Sequence, residues 1–142
     1  KAAASAKPEG EVQVTSPDLA DIVTTPPPEF GGPEGTWSPE TLLVASVADC
    51  FNLTFRSIAR ASRFEWLELD CRAEGKLEKF NSITRFTVFY LKARLVVPEG
   101  TPTAKAERLL QMAEKNCLIT NSMVAEVQLE TEVEEFVPQQ VA

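Results

Sequence analysis

The chain has 142 residues, 44% of them hydrophobic and 25% charged, enough for one domain with one core. A formal net charge of −7 repels phosphate, which argues against nucleic acid and anionic membranes as partners; no apolar run reads as a bilayer span. There is no histidine, which removes Ser-His-Asp and Cys-His catalysis and the common zinc sites.

Lys1 stands where a Met would start a chain, so the natural protein is expected to begin upstream, and no signal-peptide pattern opens the sequence. Residues 1–10, "KAAASAKPEG", offer little to bury and read as a tail. "EVQVTS" (Glu11–Ser16) alternates, and "LADIVTT" (Leu19–Thr25) follows across a Pro17-Asp18 turn, which predicts a hairpin. "PPPEFGGPEGTW" (Pro26–Trp37) is a rigid loop: its prolines block helix and central strand, Gly31-Gly32 permits a sharp turn, and Phe30 and Trp37 anchor it to the surface.

Ser38, Pro39 and Glu40 form a helix start, with a capping hydroxyl, a proline at the first helical position and a carboxylate at the positive end of the dipole. The helix runs to Arg63 with no Gly or Pro. Leu43, Val47, Cys50, Thr54, Ile58 and Ala61 share one stripe, and Leu42, Ala45, Phe51 and Phe55 widen it. A helix apolar over so much of its girth is buried on several sides, and a second subunit is the expected source of the extra cover.

"WLELDCRAEGKLEK" (Trp66–Lys79) alternates cleanly, with Leu67, Leu69, Cys71, Ala73 and Leu77 on one face. The turn "FNSI" leads to Thr84–Val97, where Phe89, Leu91, Ala93, Leu95 and Val97 line the inner face. A second helix spans Pro102 to Cys117, with Ala106, Leu110, Ala113 and Cys117 on its apolar side. Ala125–Phe136 alternates again. The order β-β-α-β-β-α-β predicts the α+β class: an antiparallel sheet with two helices on one face, in a single domain over residues 11–137, with a second tail at 138–142.

Chemistry narrows to three cysteines, an odd number with no C-x-x-C spacing, which points away from a secreted disulfide framework and toward the cytoplasm. Cys71, among Leu67, Leu69 and Ala73, reads as structural and inert. Cys50 lies on the apolar stripe, twelve residues past the cap and beside Asp49. Nothing in its sequence neighbourhood lowers its pKa, so reactivity requires a cation from elsewhere in the fold. Cys117 closes the second helix, where the dipole disfavours a thiolate; that suits a thiol attacked later rather than a first nucleophile. No Gly-rich phosphate loop or ligand cluster suggests a metal or cofactor.

"WSPETLLVASVADCF" (Trp37–Phe51), followed downstream by "AEKNCLITNSMVAEV" (Ala113–Val127), resembles the OsmC/Ohr family of thiol-dependent hydroperoxide reductases. Pro39-Glu40, Cys50 and Cys117 match the family's pattern in identity and spacing, and the order of elements agrees from about Glu11 to Phe136. The resemblance implies an intertwined homodimer with active sites at the subunit interface, and a role in oxidative stress defence without a cofactor. Cys50 would be the peroxidatic thiol and Cys117 the resolving one. The substrate would be an organic hydroperoxide, and the reductant an external dithiol such as a dihydrolipoyl protein. Glu40 would be the family's catalytic carboxylate. Ten residues of straight helix rise about 15 Å, so Glu40 does not touch Cys50 of its own chain; it either approaches the thiol of the other chain, if the helices pair antiparallel across a two-fold axis, or serves only as a carboxylate at the helix N-terminus.

One departure stands out. The family's activating arginine in the N-terminal strands is absent; the first arginine is Arg56, about 240° round the helix from Cys50. Arg72 and Arg85 remain as cations that a partner subunit would have to supply. The alternative reading is a weak or inactive dimer of the same fold that binds an apolar small molecule near Phe30, Trp37 and Phe51.

Overall fold

A computed structural model describes residues 1–139, in two compact units, Lys1–Leu43 and Val44–Ala142. Gln140, Val141 and Ala142, part of the expected C-terminal tail, lie outside the described residues; Pro138 and Gln139 have no regular structure.

In the first unit β1 (Ala3–Ser5), β2 (Val12–Thr15) and β3 (Ile22–Thr24) form an antiparallel sheet in that order. The predicted hairpin is β2–β3. Its turn is closed by the Leu19 N–H donating to the Ser16 carbonyl at 3.2 Å, with Asp18 at φ 64°, a left-handed position that Asp tolerates. Strand β1 falls inside the stretch expected as a tail. Its small residues bury nothing; backbone pairing with β2, Ala3 opposite Thr15, places it there.

The Pro26–Trp37 loop folds back on itself. The Phe30 and Gly32 N–H groups both donate to the Pro27 carbonyl, at 2.9 and 3.1 Å. A Cβ on Gly32 would lie 1.6 Å from the Pro26 carbonyl oxygen, so no other residue fits there. The Thr25 N–H donates to the Trp37 carbonyl at 2.9 Å, which pins the loop's two ends together. Ser38, buried, caps helix α1 (Pro39–Ala61): the Thr41 N–H donates to Ser38 Oγ at 3.0 Å.

Through the second unit α1 buries Val47, Phe51, Phe55 and Ala59, at intervals of four. By length and composition α1 would pass for a bilayer span, a correction to the expectation that no segment approaches one. Strands β4 (Glu68–Phe80) and β5 (Ile83–Pro98) pair antiparallel across Asn81-Ser82, both with positive φ as a two-residue hairpin turn of this hand requires. Gly75 of β4 lets α1 come close: a Cβ there would sit 3.0 Å from Val44 Cγ2 and 2.5 Å from the Phe86 ring.

Helices α2 (Thr103–Asn116) and α3 (Leu118–Asn121) precede β6 (Glu126–Phe136). The α+β class and the order of long elements are those read from the sequence. Two details differ. The strands form two three-stranded sheets, and β6 runs parallel to β5, giving β4-β5-β6 mixed pairing. A connection that contains a helix carries the chain back to the start of β5, so the next strand runs in the same direction. The buried β5 residues Phe89, Leu91, Ala93, Leu95 and Val97 form the expected inner face, and Ala106, Leu109, Leu110 and Ala113 of α2 are buried with them in the core.

Candidate functional site

Cys50 projects from the middle of α1, and Cys117 sits at the junction of α2 and α3. The buried α2 face continues through Ala113 to Cys117, which is 1% exposed. At Cys117 the backbone leaves the helix (φ −66°, ψ 113°), and α3 starts at once. The break leaves the Leu118 and Ile119 N–H groups, in the first turn of α3, without helical acceptors.

These elements meet at one sulfur. The Ile119 and Leu118 N–H groups and the Cys117 thiol all act on the ionisation of Cys50. Thr54 Oγ1, one turn further along α1, lies 3.8 Å away. Burial is the largest single influence on Cys50 and opposes its thiolate. The Ile119 amide, the Cys117 thiol, the Thr54 hydroxyl and the Leu118 amide together outweigh it, so the Cys50 pKa lies below its ordinary value.

This corrects the expectation that nothing but a cation would lower the Cys50 pKa. Neither a basic side chain nor Asp49 is among the groups acting on it. Arg72 pairs with Asp70 at 3.3 Å on the exposed side of β4, and Arg85 lies over the Phe80 ring. Main-chain N–H groups lower the pKa because a polar donor facing the charged form favours that form.

The other two thiols behave differently. Burial, followed by smaller influences that include the Cys50 sulfur, holds the Cys117 pKa above its ordinary value. Burial beside Asp70 pushes Cys71 up to about 12, as its inert reading anticipated. One thiol is therefore poised to ionise and its neighbour is poised to stay protonated. Near neutral pH, iodoacetamide should label Cys50 first, with a midpoint below that of free cysteine, because only thiolate alkylates. Cys71 should resist labelling until the pH approaches 12. Mass spectrometry of the labelled peptides checks this; a Cys50 midpoint at or above that of free cysteine contradicts it.

Glu40 belongs to the first turn of α1 and is not among the groups acting on Cys50. Its Oε2 is buried and has no hydrogen-bond partner among the described residues. Of the residues expected around an apolar ligand, Phe51 is wholly buried, whereas Phe30 and Trp37 are exposed. Sequence reading placed Thr54 on the right stripe but gave it no role, although its i+4 spacing from Cys50 is a usable signal. The Leu118 and Ile119 amides had no side-chain signal to find. Among the described residues, no three His, Cys, Asp or Glu side chains are placed to hold a metal ion.

Two thiols that act on each other's ionisation, one of them made more acidic by its surroundings, define a paired-cysteine site on an α+β scaffold. The OsmC-like protein family matches residues 31–132, which include Glu40, Cys50 and Cys117, and the chain belongs to that family. It is 28% identical to peroxiredoxin OsmC of Escherichia coli over 101 residues, covering 71% of this chain and 69% of that protein. It is 26% identical to the uncharacterized protein YmaD of Bacillus subtilis over 110 residues, 75% and 73% of the two chains. Among solved structures, an OsmC-like protein of unknown function from Vibrio cholerae superposes with a TM-score of 0.82 at 24% identity, covering 94% of this chain and 97% of that one. An organic hydroperoxide resistance protein OsmC from Legionella pneumophila gives 0.75 at 24% identity, over 94% and 95%.

Proposed function

We propose that this protein reduces organic hydroperoxides through Cys50 and Cys117. The observation that carries the reading is that Cys50 and Cys117 are close enough to act on each other's ionisation, with the lowered pKa on Cys50 and the raised one on Cys117. The Cys50 thiolate attacks the distal peroxide oxygen. The O–O bond breaks, the alkoxide leaves and takes a proton as the alcohol, and Cys50 becomes a sulfenic acid. Cys117 sulfur then attacks the Cys50 sulfur; water leaves and a disulfide forms. An external dithiol reduces it by two exchanges, restoring both thiols. A dihydrolipoyl group is the dithiol the family resemblance suggests. Two relatives support the substrate class: the E. coli protein is named a peroxiredoxin, and the Legionella protein is described as an organic hydroperoxide resistance protein.

In this reading the working unit is a homodimer. In one chain only Val47, Phe51, Phe55 and Ala59 of α1 are buried, and Leu53 is half exposed, so much of an apolar helix awaits cover. A role in oxidative stress defence in the cytoplasm fits free cysteines in a reducing compartment. Glu40, expected as a catalytic carboxylate, is not required by the steps above.

A stoichiometric pulse of cumene hydroperoxide tests the pair. Mass spectrometry of the oxidised wild type is expected to find one Cys50–Cys117 disulfide, and Cys117→Ser should instead leave a dimedone-reactive Cys50. Oxidation that spares Cys50, or no disulfide at all, overturns the reading.

A further inference from the structure

The late half of α1 carries charge that the thiol chemistry does not use. Between Phe51 and Phe64 the chain has three arginines, Arg56, Arg60 and Arg63, and no Asp or Glu. Arg56 and Arg60 stand one turn apart on α1. Arg63 follows in the turn that closes the helix, where its N–H donates to the Arg60 carbonyl at 3.2 Å. All three are exposed. Lys105 of α2 adds a fourth cation at the same end, with its Nζ 5.7 Å from the centroid of the Phe64 ring. In a chain of net charge −7 this is a local reversal of sign.

The arginines lack counter-charges. On the β4-β5-β6 sheet Arg72, Lys76, Lys92 and Arg94 each meet a carboxylate, at 2.6 to 3.3 Å. Among the described residues Arg56, Arg60 and Arg63 make no ion pair, not even with Glu65, the nearest acid in the sequence. The negative end of the helix dipole accounts for Arg60 and Arg63. It does not account for Arg56, which lies before the last turn. Like charges one turn apart destabilise a helix, and no acid three or four residues away offsets them. A local rule broken without compensation inside the chain points to compensation outside it.

We propose that this patch docks an acidic protein segment, and that the protein so docked delivers the reducing dithiol; the delivery role rests on the peroxide chemistry proposed above. Each guanidinium presents a planar fork that fits a carboxylate. A nucleic acid fits less well, since its longer run of charge would meet the acidic remainder of the chain. Position selects the role. Arg56 is six residues from Cys50, about 9 Å along the same helix. Cys117 is 1% exposed, so a dithiol held nearby has an advantage over one arriving by free collision. One thiolate of the carrier attacks a sulfur of the Cys50–Cys117 bond and displaces the other sulfur. The carrier's second thiol then attacks the mixed disulfide. Its two protons pass to Cys50 and Cys117, and the carrier leaves as a disulfide.

Two synthetic helical peptides test this, each ending in a Cys-Gly-Gly-Cys dithiol. One carries three Glu residues spaced one turn apart, and the other carries Gln in their place. In fluorescence anisotropy with the reduced full chain, the Glu peptide should bind about tenfold more tightly at low salt. That preference should vanish in about 1 M sodium chloride, where charges are screened within roughly 3 Å. Arg56→Gln/Arg60→Gln should remove it, and Arg56→Lys/Arg60→Lys should keep part of it. The Glu peptide should also reduce the peroxide-oxidised protein about tenfold faster than the Gln peptide. Dithiothreitol should support the wild type and Arg56→Gln/Arg60→Gln equally. Equal binding of the peptides, or a preference that survives high salt or the Gln variant, overturns the docking. A changed oligomeric state of that variant in sedimentation assigns the arginines to a contact between copies and overturns it too. Preferential binding without faster reduction overturns the delivery role. If dithiothreitol supports no turnover by the wild type, the peroxide chemistry and the delivery role fall together, and the anisotropy still decides the docking.

Discussion

Cys50→Ser should cut the consumption of cumene hydroperoxide, with dithiothreitol as reductant, by on the order of a thousandfold or more, to the uncatalysed rate. Serine matches the thiol in shape and, like it, can accept from nearby N–H groups, so the fold survives. What disappears is the nucleophile. A hydroxyl is far harder to ionise than a thiol, and no histidine exists in this chain to take its proton. The loss should therefore fall on turnover with no comparable loss of stability, a separation that thermal unfolding of the same variant verifies. Unchanged turnover in Cys50→Ser would remove the foundation of the proposed chemistry.

The largest effect on stability is expected from Phe55→Ala. Phe55 is wholly buried on α1, with Phe64 and Trp66 standing edge-on to its ring at 6.4 and 5.4 Å between centroids. Removing a buried phenyl ring costs about 3–5 kcal/mol, through lost transfer energy and the cavity left behind. The edge-to-face geometry favours the upper part of that range. Leu53→Ala, on the exposed side of the same helix, provides the contrast in the monomer and should change stability by about 0.5 kcal/mol or less. Urea unfolding midpoints compare the two. A Phe55→Ala cost near that of Leu53→Ala would mean that the α1 core is not packed as described. If the helices of two chains do pair, Leu53→Ala becomes the more sensitive variant at low protein concentration.

Much of this architecture was legible because side-chain pattern carried it. The period of β5 could be read off Phe89 to Val97, and α1 was legible as a helix, although of its main stripe only Val47 is buried and Phe51, Phe55 and Ala59, read as widening that stripe or left out of it, complete the buried face. The start of α1 was legible because Ser38 and Pro39 do local chemistry that does not depend on the rest of the fold. What stayed hidden was carried by backbone. Strand β1 is recruited by main-chain pairing, with three small residues that announce nothing. The parallel placement of β6 follows from how α2 crosses over, a matter of topology rather than composition. The site divides in the same way. Cys50 and Cys117 were legible as residues, but the groups that make Cys50 acidic are amides of Leu118 and Ile119. In the sequence, side chains are the only visible sources of positive potential, so main-chain donors leave no signal there.

The break at Cys117 has a consequence for electron transfer. The amides of Leu118 and Ile119 stabilise Cys50 while it carries negative charge, and a disulfide sulfur is a far poorer acceptor. Donors that favour the reduced dithiol form over the bonded form shift the couple toward oxidising potentials, as they do in other dithiol proteins whose reduced state is held by its surroundings. A Cys50–Cys117 bond would thus be one that gives itself up readily. The seven residues from Lys115 to Asn121 hold both the thiol that closes the bond and the donors that favour its reopening.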